Sequence, residues 1–353
     1  MNSKALKYLL PGTLYALAFY SFTQTGFSAW LPVLYAWVLI PLAELIIPAD
    51  NRNLTAAEED IHKAHQIYDY VLYFFVAMQF AALIHFLMSF QRLPVGGADL
   101  IARIATMGLL CGTFGINIGH ELGHRSNRFE KFLAKASLMT SLYMHFFIEH
   151  NKGHHKNVAT PQDPNSARYN EPVYLFYFRS IGLAYRSAWK IASADMRKKG
   201  RPWYHLGNEM LQAQLIQIAF VLLILFFFGK SVTLYFLAAA LIGILLLETV
   251  NYIEHYGLSR KETAPGKYER AMPHHSWNSN HILGRLMLFE LSRHSDHHYL
   301  ASRKYQILRH HENAPQLPTG YPGSIILSLI PPLWFNVMNK RIRQIAPASP
   351  SVS

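Results

Sequence analysis

Six apolar runs, each close to twenty residues long, restrict this chain more than any other feature. They lie at about 5–25, 27–48, 69–90, 98–119, 210–229 and 232–253. A helix of about 20 apolar residues spans the ~30 Å hydrocarbon core of a bilayer. The runs therefore read as three helical hairpins, the last turned at Gly229-Lys230-Ser231. With the N-terminus in the cytoplasm, the outer loops fall near 26, 91–97 and 230. Of the 33 Lys and Arg, only Arg92 and Lys230 lie in those loops, with Arg103 in the outer part of the fourth run. The remaining basic residues fall on the cytoplasmic side, as the positive-inside rule requires. The net charge of +12 is thus a topology signal and no argument for nucleic acid.

The expected fold is an all-α integral membrane protein with six transmembrane helices, a single membrane-embedded catalytic domain over 1–353. Cytoplasmic segments 120–209 and 254–345 form a histidine-rich cap. Lys4 and Lys7 precede the first run as in a signal peptide, but without a convincing small-residue cleavage site, so the run reads as a retained helix. Residues 129–149 are apolar enough to cross. Crossing would put His120 and His150 roughly 30 Å apart, so this segment is expected to fold back or lie along the interface. Residues 321–338, broken by Pro331-Pro332, are expected against the membrane surface, and the tail 346–353 is expected to be disordered.

Four histidine clusters stand at the cytoplasmic ends of this framework: His120 and His124; His150, His154 and His155; His255; and His294, His297 and His298. Residues three or four apart share one helix face at about 5–6 Å, the separation that two imidazoles on one ion need. Nine ligands exceed what one transition metal takes while keeping a position open, so two metals are expected. Neutral imidazoles suit Fe, Cu, Zn or Ni and do not choose among them. The single cysteine, Cys111, excludes an internal Cys-x-x-Cys redox centre.

A carboxylate stands beside each cluster: Glu121, Glu149, Glu254 and Asp296. Metal-bound imidazoles usually pass their second N–H to a carboxylate or carbonyl. Adjacent helical residues point about 100° apart, so each acid is expected to serve a neighbouring cluster; the plainer reading is salt bridges to Arg125 and Arg293. His274, His275 and His281 read as a site wall or outer support. His62, His65, His85, His145, His205, His310 and His311 read as hydrogen-bonded core or surface residues.

The flanks narrow the pattern. Asn117-Ile-Gly-His-Glu-Leu-Gly-His124, Glu149-His-Asn-Lys-Gly-His-His155 with Ala159-Thr-Pro-Gln-Asp-Pro164, Asn251-Tyr-Ile-Glu-His-Tyr-Gly257 and Leu291-Ser-Arg-His-Ser-Asp-His-His298 resemble the membrane-bound alkane 1-monooxygenases of the fatty-acid desaturase and hydroxylase superfamily. So do Pro273-His-His-Ser-Trp-Asn-Ser-Asn-His281 and Leu317-Pro-Thr-Gly-Tyr-Pro-Gly323. The resemblance covers most of residues 110–335. It implies a bacterial inner-membrane enzyme with a non-haem diiron centre, active site facing the cytoplasm. Such an enzyme uses O2 to hydroxylate the terminal methyl of medium- or long-chain n-alkanes. It also implies electrons from a separate rubredoxin, reduced by an NADH-dependent reductase, and the nine histidines as iron ligands.

An alkane offers no hydrogen bonds, so its binding rests on apolar burial. The expected channel is lined by Leu109, Gly112, Thr113 and Ile116 before His120, and by Ile244, Leu247, Glu248 and Asn251 before His255. Trp30 and Trp37 are expected at its far end. The basic residues Lys152, Lys156, Lys198, Lys199 and Arg201 offer a docking surface for an acidic carrier. A related hydroxylase or desaturase acting on another lipid or hydrocarbon shares the histidine boxes. His120-Glu-Leu-Gly-His124 also fits an intramembrane HExxH zinc protease, which leaves the other clusters unexplained. A metal transporter would instead place its ionisable residues near the midplane.

Overall fold

The computed structural model describes residues 3–92 and 95–345. The tail expected to be disordered, and part of the loop expected at 91–97, lie outside these residues. Among the described residues, four helices are long and apolar enough to cross a membrane: Gly26–Ile46, Ile67–Gln91, Gly97–Gly123 and Glu209–His255. The protein is mostly helical, its only sheet among the described residues being the hairpin Glu262–Ala264 with Lys267–Tyr268.

The last of these helices holds 47 residues, about 70 Å if straight. It is not straight. Gly229 has φ 77°, a left-handed conformation that glycine adopts without Cβ strain. The rings of Phe220 and Phe236 stand 5.7 Å apart, whereas sixteen residues of one continuous helix would separate them by about 24 Å. The chain therefore reverses at Gly229, in the expected turn, and both ends of this hairpin lie on one side, the second arm running six residues, about 9 Å, further.

The run expected at 5–25 is built differently. It forms a 3-10 helix, Ser3–Leu9, then an α-helix, Pro11–Ser21, of eleven residues. Pro11 has no N–H to continue the first helix and is well suited to the first turn of the second.

Close packing of the Gly97–Gly123 helix against the second arm of the hairpin depends on small residues. A Cβ on Gly243 would stand 2.6 Å from Cys111 Cβ, and one on Gly112 would stand 2.9 Å from Gly243 O. This is the small-residue contact that lets helices approach in a membrane, where apolar burial gives no preference for protein over lipid.

Residues 129–149 fold back. The helix Arg128–Met139, N-capped by Asn127, runs antiparallel to the end of the Gly97–Gly123 helix. Ser137 Oγ donates to Gly115 O at 2.7 Å, and Ser141 Oγ to Cys111 O at 3.1 Å. The chain then turns through Leu142, at φ 53°, and returns along Phe146–Glu149 to His150. His150 thus arrives with its ring 4.4 Å from that of His120. Residues 321–338 are likewise split, into Tyr321–Ser328 and a helix Pro331–Ile345. Trp334 and Met338 of the second pack with Tyr252, Tyr256 and Trp277 into one buried cluster under the cap.

Candidate metal centre

All nine histidines of the four clusters meet, in two groups. His120, His124, His150, His155 and His297 form one; His154, His255, His294 and His298 form the other. Within each group the candidate ligand nitrogens all lie within 4.8 Å of one another. The groups adjoin, with the rings of His155 and His298 4.5 Å apart.

Local structure sorts the histidines. His120 and His124 share a face at the end of their helix, and His294 and His298 share one on the short helix His294–Tyr299. His150 and His154 part company. The segment His150–His154 is a π-turn, whose i→i+5 hydrogen bonds align residues five apart. His150 Nε2 therefore faces His155 Nε2 at 2.9 Å, and His154 turns to the second group. His297, between two ligands of the second group, points to the first.

These nitrogens fit metal ions. In the first group the Nε2 atoms of His120 and His297 stand 2.9 Å apart, and those of His297 and His155 3.1 Å. In the second, His294 and His255 present Nε2 atoms at 3.2 Å. Two nitrogens bonded at about 2.1 Å to one ion, at right angles, stand about 3.0 Å apart. The Nε2 atoms of His124, His154 and His298 are buried and have no hydrogen-bond partner. Orphaned buried polar atoms are rare unless something outside the protein satisfies them. Burial, with neighbouring histidines next, holds His124, His150, His155, His294, His297 and His298 well below the usual imidazole range, and so in the neutral form that binds metal.

His154 differs. Burial opposes its charge, yet the carboxylate of Asp163 holds its basicity above the usual value. His154 Nδ1 donates to Asp163 Oδ2 at 2.9 Å, and Ser166 Oγ and the Asn165 N–H also donate to that carboxylate. This is the carboxylate–histidine arrangement that fixes a ligand ring. In the sequence only the place of Asp163, nine residues after His154, hints at this role.

The four flanking acids fall in different surroundings. Glu254 Oε2 stands 3.1 Å from His294 Nε2, and its Oε1 accepts from Tyr321 Oη at 2.7 Å. Glu121 pairs with Arg125 at 2.6 Å and accepts from the Tyr305 N–H. Asp296 pairs with Arg303 at 2.8 Å and with His311 at 2.7 Å. Glu149 accepts from Asn165 at 2.9 Å, and burial together with the charge of Asp163 pushes its carboxyl up to about 8. Arg293 binds the carbonyls of Leu308, Asp50 and Arg52, not an acid at the site. His275 lies beside Glu269 at 3.3 Å and against His274, while His281 meets Ser279.

An apolar cavity approaches the histidines through Asn117, Val250, Leu291 and Tyr321, with no histidine in its own lining. Leu109, Gly112, Thr113, Leu247 and Trp37 line it, as expected for the channel. Ile116, Ile244, Glu248 and Asn251 do not. Ile116 and Ile244 pack around Tyr143 and Phe146 instead, with Leu247 touching both places, and Glu248 accepts from Tyr143 Oη at 2.8 Å. The inner end is formed by Asn117, Val250, Leu291 and Tyr321, each within one or two turns of a histidine or bonded to Glu254. Trp30 is not among the lining residues. Of the basic residues, Lys152 is held by Asp195 at 2.8 Å and Glu209 at 3.4 Å, and Lys198 lies 3.8 Å from Asp195. Lys156, Lys199 and Arg201 are exposed.

Residues 99–325 match the Fatty acid desaturase family. The chain is 37% identical over 330 residues to Alkane 1-monooxygenase 1 of Alcanivorax borkumensis, covering 93% of this chain and 81% of that one. It is 39% identical over 323 residues to Alkane 1-monooxygenase of Pseudomonas putida, covering 90% and 80%. Similarity to the xylene/toluene monooxygenase hydroxylase component of Pseudomonas putida is lower, 28% over 237 residues, covering 67% and 63%. The chain belongs to the fatty acid desaturase family, within its alkane 1-monooxygenase group.

Proposed function

We propose that this protein is a non-haem diiron monooxygenase that converts medium- or long-chain n-alkanes to 1-alkanols, with O2 as co-substrate and rubredoxin as electron donor. The observation that carries this reading is the convergence of five and four histidines close to an apolar cavity. Two iron ions held by these groups would supply the redox chemistry for placing one atom of O2 into a C–H bond, the other leaving as water with two electrons from rubredoxin and two protons.

The chain's own residues set the rest. The cavity walls bury the alkane, with a gain of roughly 0.8 kcal/mol per CH2. Asn117, Val250 and Leu291 line the end nearest the histidines, where a linear substrate would present its terminal carbon. Tyr321 and Glu254 supply the polar pair at that junction. Asp163 orients His154. Buried packing of the cap keeps bulk water from the cluster.

Six spans and a cytoplasmic active site complete the proposal. The pair Ser3–Ser21 and Gly26–Ile46 reads as a first hairpin, supported by Thr13 Oγ1 and Tyr35 Oη at 2.9 Å. The two arms of Glu209–His255 supply the last. Positive-inside asymmetry then sets the cap in the cytoplasm of an inner membrane. There a separate rubredoxin, reduced by an NADH-dependent reductase, meets the face around Lys152 and Lys156.

The test is turnover of n-alkane by purified protein with rubredoxin, reductase and NADH, together with metal analysis. The reading expects 1-alkanol and about two irons per chain. An alkene product, or one zinc per chain without turnover, would overturn it.

A further inference from the structure

The helix Val173–Lys198 joins the two feet of the Glu209–His255 hairpin. Near its start, Tyr177 Oη and Thr249 Oγ1 stand 2.6 Å apart, and Ser180 donates to Glu248. Near its end, Asp195 shares Lys152 with Glu209, and Ala188 and Ala192 pack with Met210. Glu209 opens one arm and residues 248–255 close the other. Because the arms are antiparallel, Glu209 and residues 248–249 lie at one level, with His255 about 9 Å beyond. A helix that touches both runs across the hairpin axis, so it lies in the membrane plane. Its 26 residues give it a length of about 39 Å.

Its buried stripe repeats every four residues: Phe176, Ser180, Ala184, Ala188, Ala192 and Met196. The outward face changes character along its length. Leu175 and Phe178 are 62% and 83% exposed. From Arg186 onward the exposed side chains are cationic, including Lys190, Arg197 and Lys198. The turn that follows exposes Trp203 at 57%, Tyr204 at 65% and Leu206 at 71%, and Trp189 lies 6.1 Å from Trp203. Asn208 then caps the next helix, so these side chains stand within six residues of the start of a span.

Large exposed apolar side chains mark an interaction surface. An acidic protein would match the cations but leave Phe178, Trp203 and Leu206 in water. A bilayer surface matches both. Tyr and Trp settle at the headgroup level, aliphatic and phenyl groups below it, and Lys and Arg on anionic phosphates. We propose that the helix Val173–Lys198 and the turn through Leu206 form an interfacial anchor that binds anionic phospholipid headgroups. The basic run 197–201 therefore serves the membrane, not the electron carrier. This rests on the membrane reading of the hairpin and is independent of the catalytic reading.

Two measurements on the full-length protein in nanodiscs of phosphatidylcholine and phosphatidylglycerol test it. Cys111, the only cysteine, is buried, so Leu206→Cys accepts a fluorophore selectively. The expected result is quenching by a nitroxide carried on the lipid and protection from aqueous iodide; the reverse would overturn the interfacial placement. Phe178→Cys, labelled in the same way, repeats the measurement should the first variant fail to fold. In the second measurement, Arg197→Ala/Lys198→Ala/Lys199→Ala/Arg201→Ala should retain roughly fivefold less co-purified phosphatidylglycerol than the parent. Unchanged retention would overturn the anionic headgroup. Unchanged retention with a raised KM for rubredoxin would assign the run to the carrier instead.

Discussion

His154 donates from Nδ1 to Asp163 Oδ2 at 2.9 Å, while its Nε2 is buried and unpartnered. The carboxylate fixes the tautomer, turns the ring and raises its basicity, so one histidine of the four-membered group is set in place before any metal arrives.

Asp163→Ala removes that support and leaves Ser166 and the Asn165 N–H without their acceptor. Loss of such a partner costs about 10- to 100-fold in metal affinity. We expect the ion of the four-histidine group to weaken selectively, and iron content after dialysis to fall from two per chain toward one. Equal loss of both irons would argue that Asp163 acts on the fold as a whole.

The π-turn at His150–His154 makes a sharper prediction about partition. His150→Ala and His155→Ala act on one group and His154→Ala on the other. Residues that share one ion are strongly non-additive, while those on different ions come closer to additive. The double variant His150→Ala/His155→Ala should retain one iron. His154→Ala/His155→Ala should approach none. Mössbauer spectra of the two preparations would check the assignment, and identical iron contents would refute it.

This partition marks where sequence reading stops. Most of the nine histidines were legible because three- and four-residue spacing is a helical signal; His155 stood beside such a pair, and the lone His255 was carried by its flanking residues. Gly229 was legible because a glycine between two apolar runs is a turn. The fold-back of residues 129–149 followed from requiring His120 and His150 to meet. The sorting of His150, His154 and His155 was not legible, because a π-turn depends on surrounding packing and leaves no local spacing rule. Asp163 and Tyr321 were missed as site residues because both reach the histidines through tertiary structure. The break at Pro11 was visible in the sequence but was outweighed by the apolar run around it.

Trp37 lines the cavity together with Leu14, Ala36 and Ile40, on helices that carry none of the nine histidines. Trp37→Ala should lengthen the cavity at that end without touching the ligands. We expect preference to move toward longer alkanes, each added buried CH2 recovering about 0.8 kcal/mol, close to fourfold in kcat/KM. Competition between alkanes of different length, read as product ratios, measures this directly. An unchanged ratio would place the chain end elsewhere.

Gly243 tests the helix contact that supports the site. A Cβ there would stand 2.6 Å from Cys111 Cβ and 3.0 Å from the Gly112 N–H nitrogen. Backbone on both sides leaves no flexible side-chain end to move away, so Gly243→Ala must push the two helices apart. Overpacking of this kind costs about 1–3 kcal/mol. The shift separates Leu109, Gly112 and Thr113 from Leu246 and Leu247 across the cavity. Thermal unfolding in detergent should therefore show a lowered Tm, and terminal selectivity should fall with it. Cys111→Ala removes only Sγ and keeps the Cβ and backbone atoms that make every one of these contacts, so it should recover little of the loss. Full recovery by that second change would locate the contact at Sγ instead.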